Sequence, residues 1–387
     1  MSDLETVPFA IIGGGVIGLS VAINLAKKFG PNSVYLFEKN SYLCEEQSSR
    51  NSGVIHSGIY YEPGSLKAEL CVFGNRDLRD FCIKYKVPFL IKGKLILANS
   101  YEDEGVLEFY KSRASLNGLI GVQIISGHKI REYEPNVIGK SALLISQSGI
   151  IDVSSYLKKL ESLAEEYGVT IFKRSTVLNI SANSSGAICE IESGDNKYSF
   201  IAETLINASG LSADRIAKLI NPESPYEIQP ILGEYATFNC SKRGDISLNG
   251  MNVYKTPQYI KKDNRDYFVV GVHFTPTFEM GKNGIAKNGK TVLVGPTALA
   301  VSDDYGYGKS HHDLEYFLNE VRPIFPGLLL SDLSLGYSGI RAKLKTPKDD
   351  FVIKRDDKYP NCINVMADSP GLTSSLSIAK YLIDKVL

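Results

Sequence analysis

The strongest constraint on this chain lies at its start, in "PFAIIGGGVIGLSVAINLAKKFGPNSVYLFEKN". Phe9-Ala10-Ile11-Ile12 suits a short buried strand, and Val16, Leu19, Ile23 and Ala26 recur near the helical period. Gly30-Pro31 stops that helix, and Ser33 to Phe37 forms a second strand. Between strand and helix, Gly13, Gly15 and Gly18 stand in G-x-G-x-x-G spacing. The first glycine permits a tight turn, the second lets a pyrophosphate approach the backbone, and the third lets helix pack closely on strand. The free N–H groups and dipole of the helix then face the phosphates. Glu38 closes the second strand about 20 residues past the last glycine, where a carboxylate accepts hydrogen bonds from a ribose diol. Strand, helix, strand and acid in register specify a dinucleotide site.

After Glu38 the chain does not continue as regular strand–helix units. It enters a polar stretch, "NSYLCEEQSSRNSGVIHSG", able to cross the pyrophosphate and reach a flavin ring. No second G-x-G-x-x-G follows, which argues against a separate nicotinamide-dinucleotide domain. "GYGKS" at 306–310 imitates the end of a phosphate loop, but Asp303 occupies the place of the glycine required five residues before Gly308.

Further on, residues 65–85 read as a helix with Leu66, Leu70, Phe73, Leu78 and Phe81 on its apolar side. "VPFLIKGKLILANS" reads as a hairpin, and residues 102–117 and 154–167 as helices. A meander with Ser-Ser-Gly and Gly-Asp turns leads to "TLINASG", an apolar run ending in small residues where backbone passes close to a ligand. Residues 226–335 are strand-rich. Ser369 to Thr373 then precede a C-terminal helix with Leu376, Ile378 or Ala379, and Leu382 inward; its N-terminus presents a second set of N–H donors.

At 387 residues the chain exceeds the usual size of one domain, so two lobes are expected. Lys+Arg and Asp+Glu are balanced at 43 each, which leaves no net field to gather nucleic acid or anionic lipid. Cys44, Cys71, Cys82, Cys189, Cys240 and Cys362 contain no C-x-x-C pair, against a zinc site or a disulfide framework and in favour of a reducing compartment. Asp3 and Glu5 precede the first apolar run, without the basic flank of a secretory signal. No stretch of about 18 apolar residues could span a bilayer. A cytoplasmic location is expected, with peripheral contact at a membrane also compatible.

The opening motif with Glu38, "SSRNSGVIHSGIYYEPGSLKAELC", "LINASG", "GVHFTP", "GIRAKL" and "SPGLTSSLSIA" occur in the order found in D-amino-acid-oxidase-like FAD oxidoreductases. Across nearly its whole length the chain most resembles the L-2-hydroxyglutarate dehydrogenases and oxidases of that superfamily; the "SSR-S…IH-G" portion is also similar to FAD-dependent glycerol-3-phosphate dehydrogenases. It departs from the hydroxyglutarate pattern at Ser49-Arg50-Asn51-Ser52, where Gly-His-Asn-Ser is usual, and at "ADSPGLTSS", where "APSPAATSS" is usual.

The resemblance implies an α/β fold, α+β overall. A discontinuous Rossmann-type FAD-binding domain would comprise residues 1–85, 145–225 and 336–387. A substrate domain with a mainly antiparallel sheet would use 86–144 and 226–335. It also implies FAD contacts at Gly13, Gly15, Val16, Ile17, Gly18, Glu38 and Lys39. Further contacts fall on the crossing segment, at Ser48, Ser49, Arg50, Asn51, Ser52, Gly53, Val54 and His56. Val177, Ala208, Ser209 and Gly210, then Gly339 and Arg341, and finally Pro370, Gly371, Leu372, Thr373 and Ser374 complete the set.

Oxidising a 2-hydroxy acid needs a hydride acceptor against the α-carbon, a base for the hydroxyl proton and a cation for the carboxylate. The flavin N5 would be the first. Gly53 and Gly58 are expected where backbone passes close to the cofactor, with His56 projecting toward substrate. Histidine suits the second task because its pKa lies near working pH. His128 follows Ser126-Gly127 in a polar turn and is expected to be exposed. His311 and His312 are adjacent and poorly placed as joint metal ligands, and no metal is expected. That leaves His56 and His273, either of which could be the base. Arg341 can grip a carboxylate bidentately. Lys343, two residues on along a strand, could hold a second carboxylate, and Tyr60 and Tyr61 could line the approach.

The favoured reading is oxidation of L-2-hydroxyglutarate to 2-oxoglutarate. An amino-acid or amine oxidase, or a glycerol-3-phosphate dehydrogenase, would use the same scaffold, and a catalytically silent flavin-binding subunit is the reading outside enzymes. Oxygen, a quinone and a carrier protein are all compatible electron acceptors.

Overall fold

The computed structural model describes residues 4–246, 248–262, 265–282, 284–302, 306–307, 310–345 and 349–387, without the side chains of 259–269. Asp3 and, from the rejected phosphate-loop segment, Asp303, Gly308 and Lys309 lie outside the described residues.

Two sheets organise the molecule. The first has eight strands, and its centre is parallel. Thr6–Ile12 pairs in parallel with Val34–Phe37 on one side and with Asn196–Asn207 on the other. Thr170–Phe172 extends the parallel set beyond Val34–Phe37, and Cys362–Met366 pairs with the end of Asn196–Asn207. Parallel strands buried on both faces require continuous apolar runs, which explains the unbroken Phe9-Ala10-Ile11-Ile12. The helix Val16–Phe29 follows at once and ends at Gly30, as the Gly-Pro signal predicts. Its core side packs with Tyr156, Leu160 and the C-terminal helix Gly371–Tyr381 in one cluster. The expected meander forms from Ser175–Asn183, Gly186–Ser193 and Asn196–Asn207.

The second sheet has nine strands and is antiparallel except where Asn252–Lys255 runs parallel to Lys94–Ala98. Its other central members are Ile228–Asn239, His273–Met280, Ala286–Gly295 and Leu333–Leu344. The strand bearing Arg341 runs unbroken over 333–344 and pairs here; the boundary expected at residue 336 therefore cuts through it.

Three local expectations need correction. "VPFLIKGKLILANS" is not a hairpin: Phe89–Leu90 pairs with Gly149–Ile151, while Lys94–Ala98 enters the second sheet. Long-range partners win: Lys94–Ala98 is buried along its whole length in the second sheet, whereas Phe89–Leu90 is half-buried and pairs elsewhere. His128 is exposed, but it sits in the short helix Gly127–Tyr133 rather than in a turn. In the helix Leu66–Tyr85, Phe73 is exposed, whereas Leu70 and Leu78 enter the core.

Candidate active site

One continuous cavity of about 2150 Å³ runs from the opening glycine turn to the second sheet. At its first end the backbone approaches itself too closely for side chains. A Cβ on Gly13 would lie 2.5 Å from the Ala208 carbonyl oxygen, and one on Gly18 would lie 1.9 Å from the Gly13 carbonyl oxygen. Gly13 also adopts φ +108°, which favours glycine. Gly15, the N-cap of the first helix, has no side-chain cap; the Val16 N–H donates to Ser48 Oγ at 3.0 Å, and Gly15, Val16, Ile17 and Ser48 all line the cavity. Glu38 is buried, and its carboxylate accepts hydrogen bonds from the backbone N–H of Gly14 at 2.8 Å and of Asn40 at 2.9 Å. These residues suit a dinucleotide: donors for a pyrophosphate, then a fixed carboxylate for a ribose.

Of the expected cofactor contacts, Gly13, Gly15, Val16, Ile17, Glu38 and Lys39 line this cavity. So do Ser48, Arg50, Asn51, Ser52, Val54, His56, Val177 and Ala208 to Gly210, with Gly339, Arg341 and Pro370 to Thr373. Gly18, Ser49, Gly53 and Ser374 do not. Gly18 is the packing glycine. The Ser49 hydroxyl turns back to the carbonyls of Glu45 and Glu46. Ser374 is fully buried, its Cα within 2.8 Å of where a Cβ on Gly74 would lie. At Gly53 and Gly58 the close approach is to protein: a Cβ would meet the Ile151 carbonyl at Gly53 and Val72 at Gly58, both at 2.9 Å.

At the other end the catalytic candidates converge. His56 is held by its backbone: its N–H donates to Thr373 Oγ1 at 3.1 Å, and its carbonyl accepts from Asn75 Nδ2 at 2.8 Å. The segment 50–58 is thereby fixed to the helices Leu66–Tyr85 and Gly371–Tyr381, and His56 lines the cavity. His273 opens its strand, stacks on Tyr254 with centroids 3.7 Å apart, and has Nδ1 2.8 Å from the Gly271 carbonyl. A carbonyl can only accept, so Nδ1 carries the hydrogen and Nε2 keeps its lone pair. Burial first, then the Lys94 charge, pushes His56 well below the ordinary histidine value. Burial likewise brings His273 down to about 3, with Lys94 and Arg341 adding to it against the Gly271 hydrogen bond. Both rings are neutral at physiological pH.

Arg341 donates to the Thr297 carbonyl at 2.9 Å and, among the described residues, has no acid partner. Lys343 shares its strand face and lines the cavity, but it is ion-paired with Asp349 at 2.5 Å. Lys67 joins the same network, 2.6 Å from Asp349 and 2.8 Å from Asp368. Burial opposes the Lys67 charge, yet the two acids outweigh it and raise its pKa. Asp349 is held down at about 2, Lys67 and Lys343 overcoming the opposite effect of burial. Tyr60 and Tyr61 both line the cavity. His311 and His312 do not line it: the backbone N–H of His311 and Nδ1 of His312 both engage Glu234. Among the described residues no cluster of His, Cys, Asp and Glu could hold a metal ion, and no helix is long and apolar enough to cross a membrane.

Sequence reasoning passed over Tyr254 and Lys94. Tyr254 lines the cavity beside His273. Lys94 begins a strand buried along its whole length and is 1% exposed, with Nζ 3.8 Å from the Tyr254 ring centroid and 5.1 Å from that of Tyr60. Burial brings its pKa down to about 7. The available signal was a lysine opening an otherwise apolar run, "KLILA".

A Rossmann-type glycine cradle leading into one cavity with two neutral histidines and an arginine defines a flavin-type oxidoreductase. The chain belongs to the FAD dependent oxidoreductase family, whose profile matches residues 9–385. FAD is the cofactor of this family. The chain is 33% identical over 417 residues to the mitochondrial L-2-hydroxyglutarate dehydrogenase of Caenorhabditis elegans, covering 100% of this chain and 94% of that one. It is 30% identical over 407 residues to the L-2-hydroxyglutarate dehydrogenase of Indibacter alkaliphilus, covering 95% and 96%. Among solved structures, FAD-bound L-alpha-glycerophosphate oxidase from Mycoplasma pneumoniae superposes with a TM-score of 0.81 at 26% identity, covering 98% of this chain and 94% of that chain. Glycine oxidase from Geobacillus kaustophilus shares the fold, with a TM-score of 0.79 at 19% identity over 99% and 96% of the two chains.

Proposed function

We propose that this protein oxidises a small 2-hydroxy acid, L-2-hydroxyglutarate, to the 2-oxo acid. The observation that carries this reading is the meeting of Arg341, without an acid partner among the described residues, and two neutral imidazoles in the cavity that begins at the glycine cradle. The full-length relatives named L-2-hydroxyglutarate dehydrogenase support the substrate.

FAD would lie with its pyrophosphate at Gly13, Gly15 and Val16, its ribose at Glu38, and its ring toward Asn51 to Val54 and Gly371 to Thr373. When bound it supplies the acceptor for the hydride leaving C2. Arg341 holds the C1 carboxylate, which fixes C2 and its hydroxyl in the cavity. His56 and His273 face that hydroxyl as neutral acceptors, and one of them takes its proton as the carbonyl forms. A neutral amine substrate would place little demand on either histidine. Of the cations lining the cavity, Lys67, Lys343 and Lys255 are each tied to acids and so are not free to hold the phosphate of glycerol-3-phosphate. Residues 1–85, 145–225 and 345–387 would carry the cofactor, and 86–144 and 226–344, which keep the strand Leu333–Leu344 whole, the substrate wall.

The test is product formation with an artificial electron acceptor. L-2-hydroxyglutarate is expected to give 2-oxoglutarate, and the D enantiomer, glycerol-3-phosphate and amino acids are expected to give no turnover. Turnover confined to any of those three would overturn the reading.

A further inference from the structure

Three cations act on His273: Lys94, Arg341 and Lys255. Lys255 is paired with Glu320 at 2.7 Å, which leaves Lys94 and Arg341. Among the described residues the Lys94 ammonium has neither a carboxylate nor a hydrogen bond; its contacts are the Tyr60 and Tyr254 rings. A buried ammonium without an acid is costly, and a methionine would fill the same strand position without that cost. The titratable groups around it are Tyr60 and Tyr254 on the cavity wall, Cys71 from the helix behind, and His56 and His273. None is an acid that could neutralise it near physiological pH.

The dicarboxylate proposed above brings two negative charges. Arg341 can balance one. Lys343, the other candidate from its strand position, is already balanced by Asp349. We propose that Lys94 is the specificity-determining cation for the second carboxylate, drawing it to the cavity wall formed by Tyr60 and Tyr254. This rests on the hydroxy-acid reading, and it assigns the preference for a dicarboxylic over a monocarboxylic acid to one residue. Lys94 does not itself line the cavity, whereas Tyr60 and Tyr254 do, so its charge acts across those rings; at an effective dielectric of about 20, a charge pair separated by one ring is worth about tenfold in binding.

The test is calorimetric binding of two unreactive acids, glutarate and butyrate, to the FAD-loaded protein. The wild type is expected to bind glutarate at least about tenfold more tightly. Lys94→Met is expected to bring glutarate to the butyrate level without changing butyrate, and Lys343→Met to keep the glutarate preference. Equal affinities in the wild type, equal losses for both acids in Lys94→Met, or loss of preference in Lys343→Met alone would each overturn the proposal. Should Lys94→Met not fold, a pH series on the wild type decides. Lys94 loses its proton near pH 7, so the preference is expected to shrink as pH rises from 7 to 9. A preference constant over that range would overturn the assignment. Turnover of L-2-hydroxyglutarate tests the hydroxy-acid reading and binding of the two inert acids tests Lys94, so either can fail alone.

Discussion

Arg341 and the two histidines are the proposed carriers of the chemistry, and each yields its own test. Arg341→Met removes the charge that holds the substrate carboxylate. A lost charge-assisted contact of this kind is worth about 3 kcal/mol, roughly a hundredfold in kcat/KM. The FAD content of the purified variant is expected to stay unchanged, because no proposed cofactor phosphate or ribose contact is lost. Retention of kcat/KM within a few-fold would remove Arg341 from the site. Exchanging His56 or His273 for Asn separates the histidines. The variant that loses the base is expected to lose about 10²–10⁴ in the flavin-reduction rate with little change in substrate binding. The other should alter binding more than rate. The pH dependence has a definite sign. A base must be unprotonated to act, and burial holds both histidines below 6.5. The acid limb of kcat/KM is therefore expected below 6.5, and a limb above that value would assign the proton to another group.

At the scale of elements, the glycine turn and the start of the C-terminal helix form the cofactor end. Gly18→Val would press a side chain into the Gly13 carbonyl, 1.9 Å from the Cβ position. The helix must then move off the strand, so loss of bound FAD and a lower melting temperature are expected together. The Lys67 network ties three separate elements: the helix Leu66–Tyr85, the strand Leu333–Leu344, and the turn carrying Asp368. Lys67 has a side chain only 3% exposed, and Lys67→Met would leave Asp368 buried without its nearest cation. A cost of about 3 kcal/mol is expected, read as lower thermal stability. Unchanged stability would mean that Lys343 carries both acids alone.

What was legible in the sequence follows the range of the interaction. The opening strand, turn and helix, the helix Leu66–Tyr85 and the C-terminal helix are written in local period and in glycine and proline positions, so they could be read directly. Most of the expected cavity-lining residues followed from the same motifs. Lys94 and Tyr254 could not be found that way, because they meet only through parallel pairing of strands about 160 residues apart, in register Asn252 with Lys94. The state of Lys343 was hidden for a related reason. Its charge is cancelled by Asp349, outside its own strand, and by Asp368 from another strand end. For the same reason Gly53 and Gly58 signalled a close approach without saying to what: protein, in both cases.

For the whole molecule, the mostly parallel sheet supplies the dinucleotide cradle, and the larger, mostly antiparallel sheet supplies Arg341, His273, Tyr254 and Lys94. Residues of both sheets line the one cavity, so in the proposed reading neither sheet alone completes the site. The central claim is that this cavity passes the C2 hydride of an L-2-hydroxy acid to FAD. Anaerobic mixing of the FAD-loaded protein with L-2-hydroxyglutarate, followed by visible absorbance of the flavin, tests it most directly. Bleaching by the L enantiomer and none by the D enantiomer is expected. A flavin that dithionite reduces but L-2-hydroxyglutarate leaves oxidised would contradict it.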